Sequence, residues 1–176
     1  MENKIYLGID PGKSGVITSF VTGEGIKYLQ IPTIGKKVVD IKKLDDFFKL
    51  IKALDGVYSI YCVIEDVHAI FGSAAKATFS FGHVVGVLET LLVSNQIPFT
   101  KVAPKKWQKQ MWEGIPVIMK ASSTGKTQVK DTKAMSEVAA KRIFPNEDLR
   151  RTPKCSTTDD NKVDSLLICE YCKRNY

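Results

Sequence analysis

Residues 58–67, YSIYCVIEDV, run apolar on both alternating faces and break into charge only at Glu65. An exposed strand alternates apolar with polar residues, so a run like this belongs in the middle of a sheet with both faces covered. The sequence around it completes the picture. KIYLGID and GVITSFVT read as strands joined by a tight Pro-Gly turn, and GIKYLQIPT continues as a third strand, which makes a meander. DIKKLDDFFKLIKALDG spaces Ile41, Leu44, Phe47, Phe48, Ile51 and Leu54 as one helical face, opened by Asp40 and closed by Gly56.

Ala74 to Ser94 reads as a long helix, with Gly82 and Gly86 four apart on one side, a spacing that invites close packing on a neighbour. PFTKVAPKKW gives another strand that stops at a proline, and EGIPVIMKASSTGKTQVK reads as a loop rich in lysine and turn residues. DTKAMSEVAAKRIFP opens on a helix cap and stops at Phe144, ahead of Pro145. NEDLRRTPKCSTT is a second basic loop, and DDNKVDSLLICEYCKR is the last helix. A meander followed by alternating helices and strands implies an α/β protein, a five-stranded mixed sheet with helices on both faces. A chain of 176 residues suits one domain, 1–176.

No stretch reads as long and apolar enough to span a bilayer, and the N-terminus lacks the layout of a secretion signal. The expectation is a soluble, unsecreted intracellular protein, cytoplasmic or in another compartment, with no membrane partner. Cys169 and Cys172 form a lone C-x-x-C inside a helical pattern, with no second pair for zinc, and Cys62 reads as a small buried apolar residue. The charge is more telling. Lys101 to Lys154 holds 13 Lys and Arg against 5 Asp and Glu, a net +8, while the remainder nets −1. Basicity confined to one segment of a compact chain favours a polyanion, and nucleic acid is the usual one. Lys13, Lys105, Lys106, Lys126, Arg150 and Arg151 are candidate phosphate contacts.

Asp10 and Glu65 each stand at the exit of a predicted strand, and ligand sites of open α/β sheets lie at those ends. If the two strands are parallel neighbours, their end residues sit about 4.8 Å apart. Asp160 and Asp164 are four apart on one face of the last helix, with Asn161 as the other possible partner of Asp164. Helix capping accounts for Asp159 and Asp160. It does not account for Asp164, which borders the apolar stripe Val163, Leu166, Leu167, Ile168, where an unpaired carboxylate is costly. Carboxylate oxygens suit Mg²⁺ or Mn²⁺, and two such ions about 4 Å apart serve phosphodiester cleavage. An acidic cluster beside a basic surface therefore reads as a nuclease.

Taken in order, LGIDPGKSG, IEDVHAIFGSAAKATFSFGHVVGVLETLL, VAPKKWQKQM, KDTKAMSEVAAKRIFP and DDNKVDSLLIC resemble the RuvC-type Holliday junction resolvases of the RNase H-like superfamily, in the branch of phages and large viruses. The resemblance covers nearly the whole chain. It implies an RNase H-like nuclease domain with Asp10, Glu65, Asp160 and Asp164 as catalytic metal ligands. It implies two Mg²⁺ ions, with Mn²⁺ able to substitute, and no small-molecule cofactor. Lys130 and Lys133 match the family's catalytic lysines, and His68, with Phe71 further on, stands where relatives open the junction centre. The implied activity is a homodimeric crossover junction endodeoxyribonuclease, nicking four-way DNA junctions in pairs to leave 5′-phosphate and 3′-hydroxyl ends. Two alternatives share features with it: a related nuclease acting on RNA:DNA hybrids or branched DNA, and an actin-like ATPase fragment, whose phosphate turn GIDPGKSG resembles.

Overall fold

The structure is a computed structural model, and it describes residues 3–35, 38–67, 74–122 and 124–176. Three strands open the chain: β1 (Lys4–Asp10), β2 (Val16–Val21) and β3 (Gly25–Gln30). They form an antiparallel meander. β6 (Ser59–Glu65) then lies parallel to β1, and β7 (Phe99–Val102) parallel to β6, giving a five-stranded sheet in the order β3-β2-β1-β6-β7. The two strands expected to end on carboxylates are thus neighbours, with Ile9 opposite Ile64 one step before Asp10 and Glu65.

Alternation along these strands sorts residues between two cores. Ile5, Leu7 and Ile9 of β1 face α1 (Ile41–Lys52) and α2 (Ala75–Ser94), where they meet Leu44, Phe48, Val84 and Leu88. Full burial of a side chain such as Phe48 contributes about 1.5–3 kcal/mol. Tyr6 and Val63 face the opposite way, into a core with α3 (Pro104–Met111), α4 (Thr132–Ile143) and α5 (Asp160–Asn175). Asp10 shares the parity of Tyr6, and Glu65 that of Val63, so both carboxylates belong to the α5 side of the sheet.

Gly8 determines how close α5 comes. A Cβ at this position would lie 2.2 Å from the backbone nitrogen of Cys169 and 2.5 Å from the carbonyl oxygen of Ser165. The helix therefore rests on bare strand backbone. A buried 2.7 Å hydrogen bond between the Thr18 and Ser165 hydroxyls pins it there, and the Cys169 thiol donates to the Tyr6 carbonyl at 3.3 Å. Gly15 serves the turn after β1, where a Cβ would sit 2.2 Å from the Asp10 carbonyl oxygen.

Several expectations change. Pro104 does not merely stop β7; it is the first residue of α3, since proline's missing N–H has no helical partner at that position anyway. The lysine-rich stretch is no plain loop, because β8 (Met119–Ala121) and β9 (Gln128–Lys130) pair within it as a hairpin. A second hairpin, β4 (Thr33–Ile34) with β5 (Val38–Val39), follows the meander. Asp40 caps α1 as expected, but the helix ends at Lys52, and Gly56 takes its positive φ of 89° in the turn beyond. Ile41 and Leu54, at the ends of the apolar stripe, are exposed.

α2 departs twice. Among the described residues nothing lies within 4 Å of a Cβ built on Gly82 or Gly86, so none of them packs closely on that side of the helix. By length and composition alone α2 is also long and apolar enough to cross a membrane, contrary to the sequence reading. Its inner face, Val84, Leu88, Leu91 and Leu92, is buried against the sheet core, which by itself calls for an apolar helix. All four cysteines are free, and Cys62, Cys169 and Cys172 are buried.

Candidate nuclease site

β1 and β6 deliver Asp10 and Glu65 to one edge of the sheet, and α5, seated on Gly8, brings Asp164 to the same place. The electrostatics show the convergence. Asp10 is pushed well above the usual carboxylate range, first by desolvation and then by the charges of Asp164, Glu65 and Asp159. Asp164 is pushed up to about 7, chiefly by desolvation and also by Glu65 and Asp160, against a restraining hydrogen bond from Ser136 on α4. Glu65 is raised as well, by desolvation, while a hydrogen bond from Trp107 opposes the rise. Three carboxylates from residues 10, 65 and 164 thus share one partly desolvated electrostatic field.

No hydrogen bond or ion pair among the described residues satisfies Asp10. Glu65 receives one, from the Trp107 Nε1–H to Oε1 at 2.8 Å. Trp107 is wholly buried, edge-on to Trp112, which places it in the core and out of reach of a stacking base. Asp160 stands apart from the other three. Its charge reaches Asp164, but its own Oδ2 accepts from Lys133 Nζ at 2.5 Å. Asp159 caps α5 through the backbone N–H groups of Asn161 and Lys162, and Arg151 donates to its other oxygen, neutralising it. Asn161 itself donates to Asp159.

The donor set suits a hard divalent cation: oxygen only, partly dehydrated, and bearing negative charge that no cation among the described residues offsets at Asp10 or Glu65. Among the described residues, no three His, Cys, Asp or Glu side chains are gathered closely enough to grip an ion in their present positions. Like charges have no reason to close further without a cation between them. The residues fit such an ion in chemistry and in their placement at neighbouring element ends, and they are not closed into a cage.

The basic residues divide by what already holds them. Among the described residues Lys13, Lys105, Lys106, Lys126 and Lys130 are exposed and meet no acidic partner. Lys13 and Arg151 both line a cleft of about 610 Å³ together with Ser14 and residues 30–33. Arg150 is bound within its own loop, donating to Asp148 and to the carbonyls of Pro153 and Cys155. Lys162 ties that loop to α5 by donating to the carbonyls of Asp148 and Arg150, above the ring of Tyr28. His68 and Phe71 lie outside the described residues.

Sequence reasoning missed Ser136, Trp107 and Gly8 as neighbours of the acidic cluster. No decisive signal existed for Trp107, because its place beside the end of β6 follows only once Pro104 is known to begin a helix. Ser136 and Gly8 gave none, since both matter only through helix contacts that no local pattern encodes.

The sequence matches no family profile and no curated protein. Among solved structures the chain is similar to T. thermophilus RuvC in complex with a Holliday junction substrate, with a TM-score of 0.50 at 13% identity over 94% of this chain and 90% of that one. A second RuvC structure from Thermus thermophilus aligns over the same shares at 17% identity with a TM-score of 0.49. The five-stranded mixed sheet with its flanking helices is therefore the RNase H-like fold, in the form that the RuvC structure has.

Proposed function

We propose that the chain, as one nuclease domain, is a metal-dependent endonuclease that cuts four-way DNA junctions by paired nicks as a homodimer. The reading rests on one observation: three carboxylates from β1, β6 and α5 meet in a shared field at the carboxyl ends of parallel strands. A cluster so placed is costly to the fold unless a cation uses it. Fold similarity to a RuvC structure bound to a Holliday junction supports the substrate class.

Asp10, Glu65 and Asp164 would hold Mg²⁺, with Mn²⁺ serving in the same place and Asp160 contributing from the rim once Lys133 releases it. Bound there, the metal supplies Lewis acidity at the scissile phosphate. Lys133, beside Asp160, offsets negative charge that grows on the phosphate, and Lys130, exposed at the end of β9, is the second lysine for that role. Lys13, Arg151, Lys105, Lys106 and Lys126 hold the backbone without reading sequence. Arg150 orders the loop that carries Arg151. A two-fold dimer presents two such sites to a two-fold junction.

The test is cleavage of a synthetic mobile junction in Mg²⁺, compared with matched duplex and RNA:DNA hybrid. Wild type should nick the junction in preference, leaving ends that a ligase seals. Asp10→Asn and Glu65→Gln should each lower the rate by about 10²–10³-fold while still binding the junction. Preferential cutting of the hybrid would transfer the same site to a hybrid nuclease, and unaltered cleavage in both variants would remove the site altogether.

A further inference from the structure

We propose that Trp107 is a positioning residue for Glu65, fixing one carboxylate oxygen so that the other is presented as a metal ligand. The inference rests on reading Glu65 as a ligand and concerns how this chain prepares it. Val102 is the register partner of Glu65 on β7, and the Asp66 N–H donates to the Val102 carbonyl at 2.8 Å. α3 begins two residues later at Pro104, which brings Trp107, in its first turn, back alongside the end of β6. The indole then donates to Oε1 at 2.8 Å from a position with no solvent exposure.

The chemistry of the donor matters. An indole N–H donates and cannot accept, so it holds an ionised carboxylate and has no use for a competing role. It carries no charge, so Glu65 keeps its full negative charge for a cation, whereas a lysine in that place would compete with the metal. The nearby cation on β7, Lys101, is engaged elsewhere, with Asp66 at 3.2 Å and Glu89 at 2.8 Å. Oε2 of Glu65 meets no donor among the described residues. A flexible side chain is thereby reduced to one anchored and one available oxygen, which is what an outer hydrogen-bond partner does for a metal ligand. Trp112 serves as an internal control, because its buried Nε1 meets no partner among the described residues.

Two measurements on the full chain test this. Trp107→Phe keeps a ring in the core and removes the donor; by calorimetric titration of metal-free protein it should bind Mn²⁺ about tenfold more weakly than wild type, with the folded state verified by thermal unfolding. In wild type labelled at the indole nitrogens, the Trp107 resonance, told from that of Trp112 with a Trp112→Phe sample, should move during Mg²⁺ titration by a larger step than its neighbour. Mn²⁺ affinity within twofold of wild type in a folded Trp107→Phe overturns the inference, and so does a Trp107 resonance that stays in place while Mg²⁺ binds. Should Trp107→Phe fail to fold, the resonance titration decides alone. Wild type that takes up no Mn²⁺ overturns the underlying reading of Glu65 instead, which separates the two failures.

Discussion

Lys133 on α4 and Asp160 on α5 hold each other across the mouth of the acidic cluster, Nζ to Oδ2 at 2.5 Å, with both side chains substantially exposed. An exposed pair of this kind is worth about 0–1 kcal/mol, too little to be a structural staple.

Lys133→Met should therefore leave stability within about 1 kcal/mol of wild type. Junction cleavage should fall by about 10²–10³-fold, the usual cost of losing one donor to transition-state charge. Urea unfolding and single-turnover cleavage, run on the same preparation, check the two halves.

Gly8→Ala should do the reverse, acting on the scaffold first. The added methyl meets backbone on α5, which no side-chain rotation relieves. Overpacking of this sort costs about 1–3 kcal/mol, and the helix that moves is the one carrying Asp164. Chemical denaturation should show the loss, accompanied by reduced cleavage.

The acidic cluster also sets a pH dependence. Asp10, Glu65 and Asp164 titrate higher in the folded protein than unfolded, Asp164 near 7 against a reference of 3.8. Between these values the folded state binds more protons than the unfolded, so stability falls as pH rises. Metal-free protein should melt higher at pH 5 than at pH 7.5. Asp164→Asn should flatten that slope and raise stability at pH 7.5, and Mg²⁺ should raise the melting temperature of wild type at pH 7.5. Scanning calorimetry in chelator and in Mg²⁺ provides the comparison.

Lys105→Ala, Lys106→Ala and Lys126→Ala should each weaken junction binding in chelator and lower the slope of log K against log salt by about one. Arg150→Ala, whose guanidinium is engaged within its own loop, should leave that slope nearly unchanged while loosening residues 148–155 to proteolysis. Fluorescence anisotropy across a salt series distinguishes these outcomes.

The strand exits at Asp10 and Glu65 were legible because a doubly buried strand announces itself by unbroken apolarity and ends where charge begins. Their adjacency followed once β1 and β6 were read as parallel neighbours. α3 was not legible, because proline ends a strand and begins a helix with equal ease, and only the burial of Trp107 and Met111 decides between them. The hairpin of β8 and β9 was hidden among six exposed strand positions with no apolar alternation to betray it. Gly82 and Gly86 misled in the other direction: their spacing invites a neighbour, and among the described residues none is there.

The seat of α5 on Gly8 has a consequence for biosynthesis. Residues 10 and 65 precede residue 164 in synthesis, and that third carboxylate arrives on α5, whose docking depends on backbone contact with β1. A truncated or nascent chain holds two acids and no completed cluster. Assembly of the three acids thus waits on α5, whichever of the earlier elements has already formed.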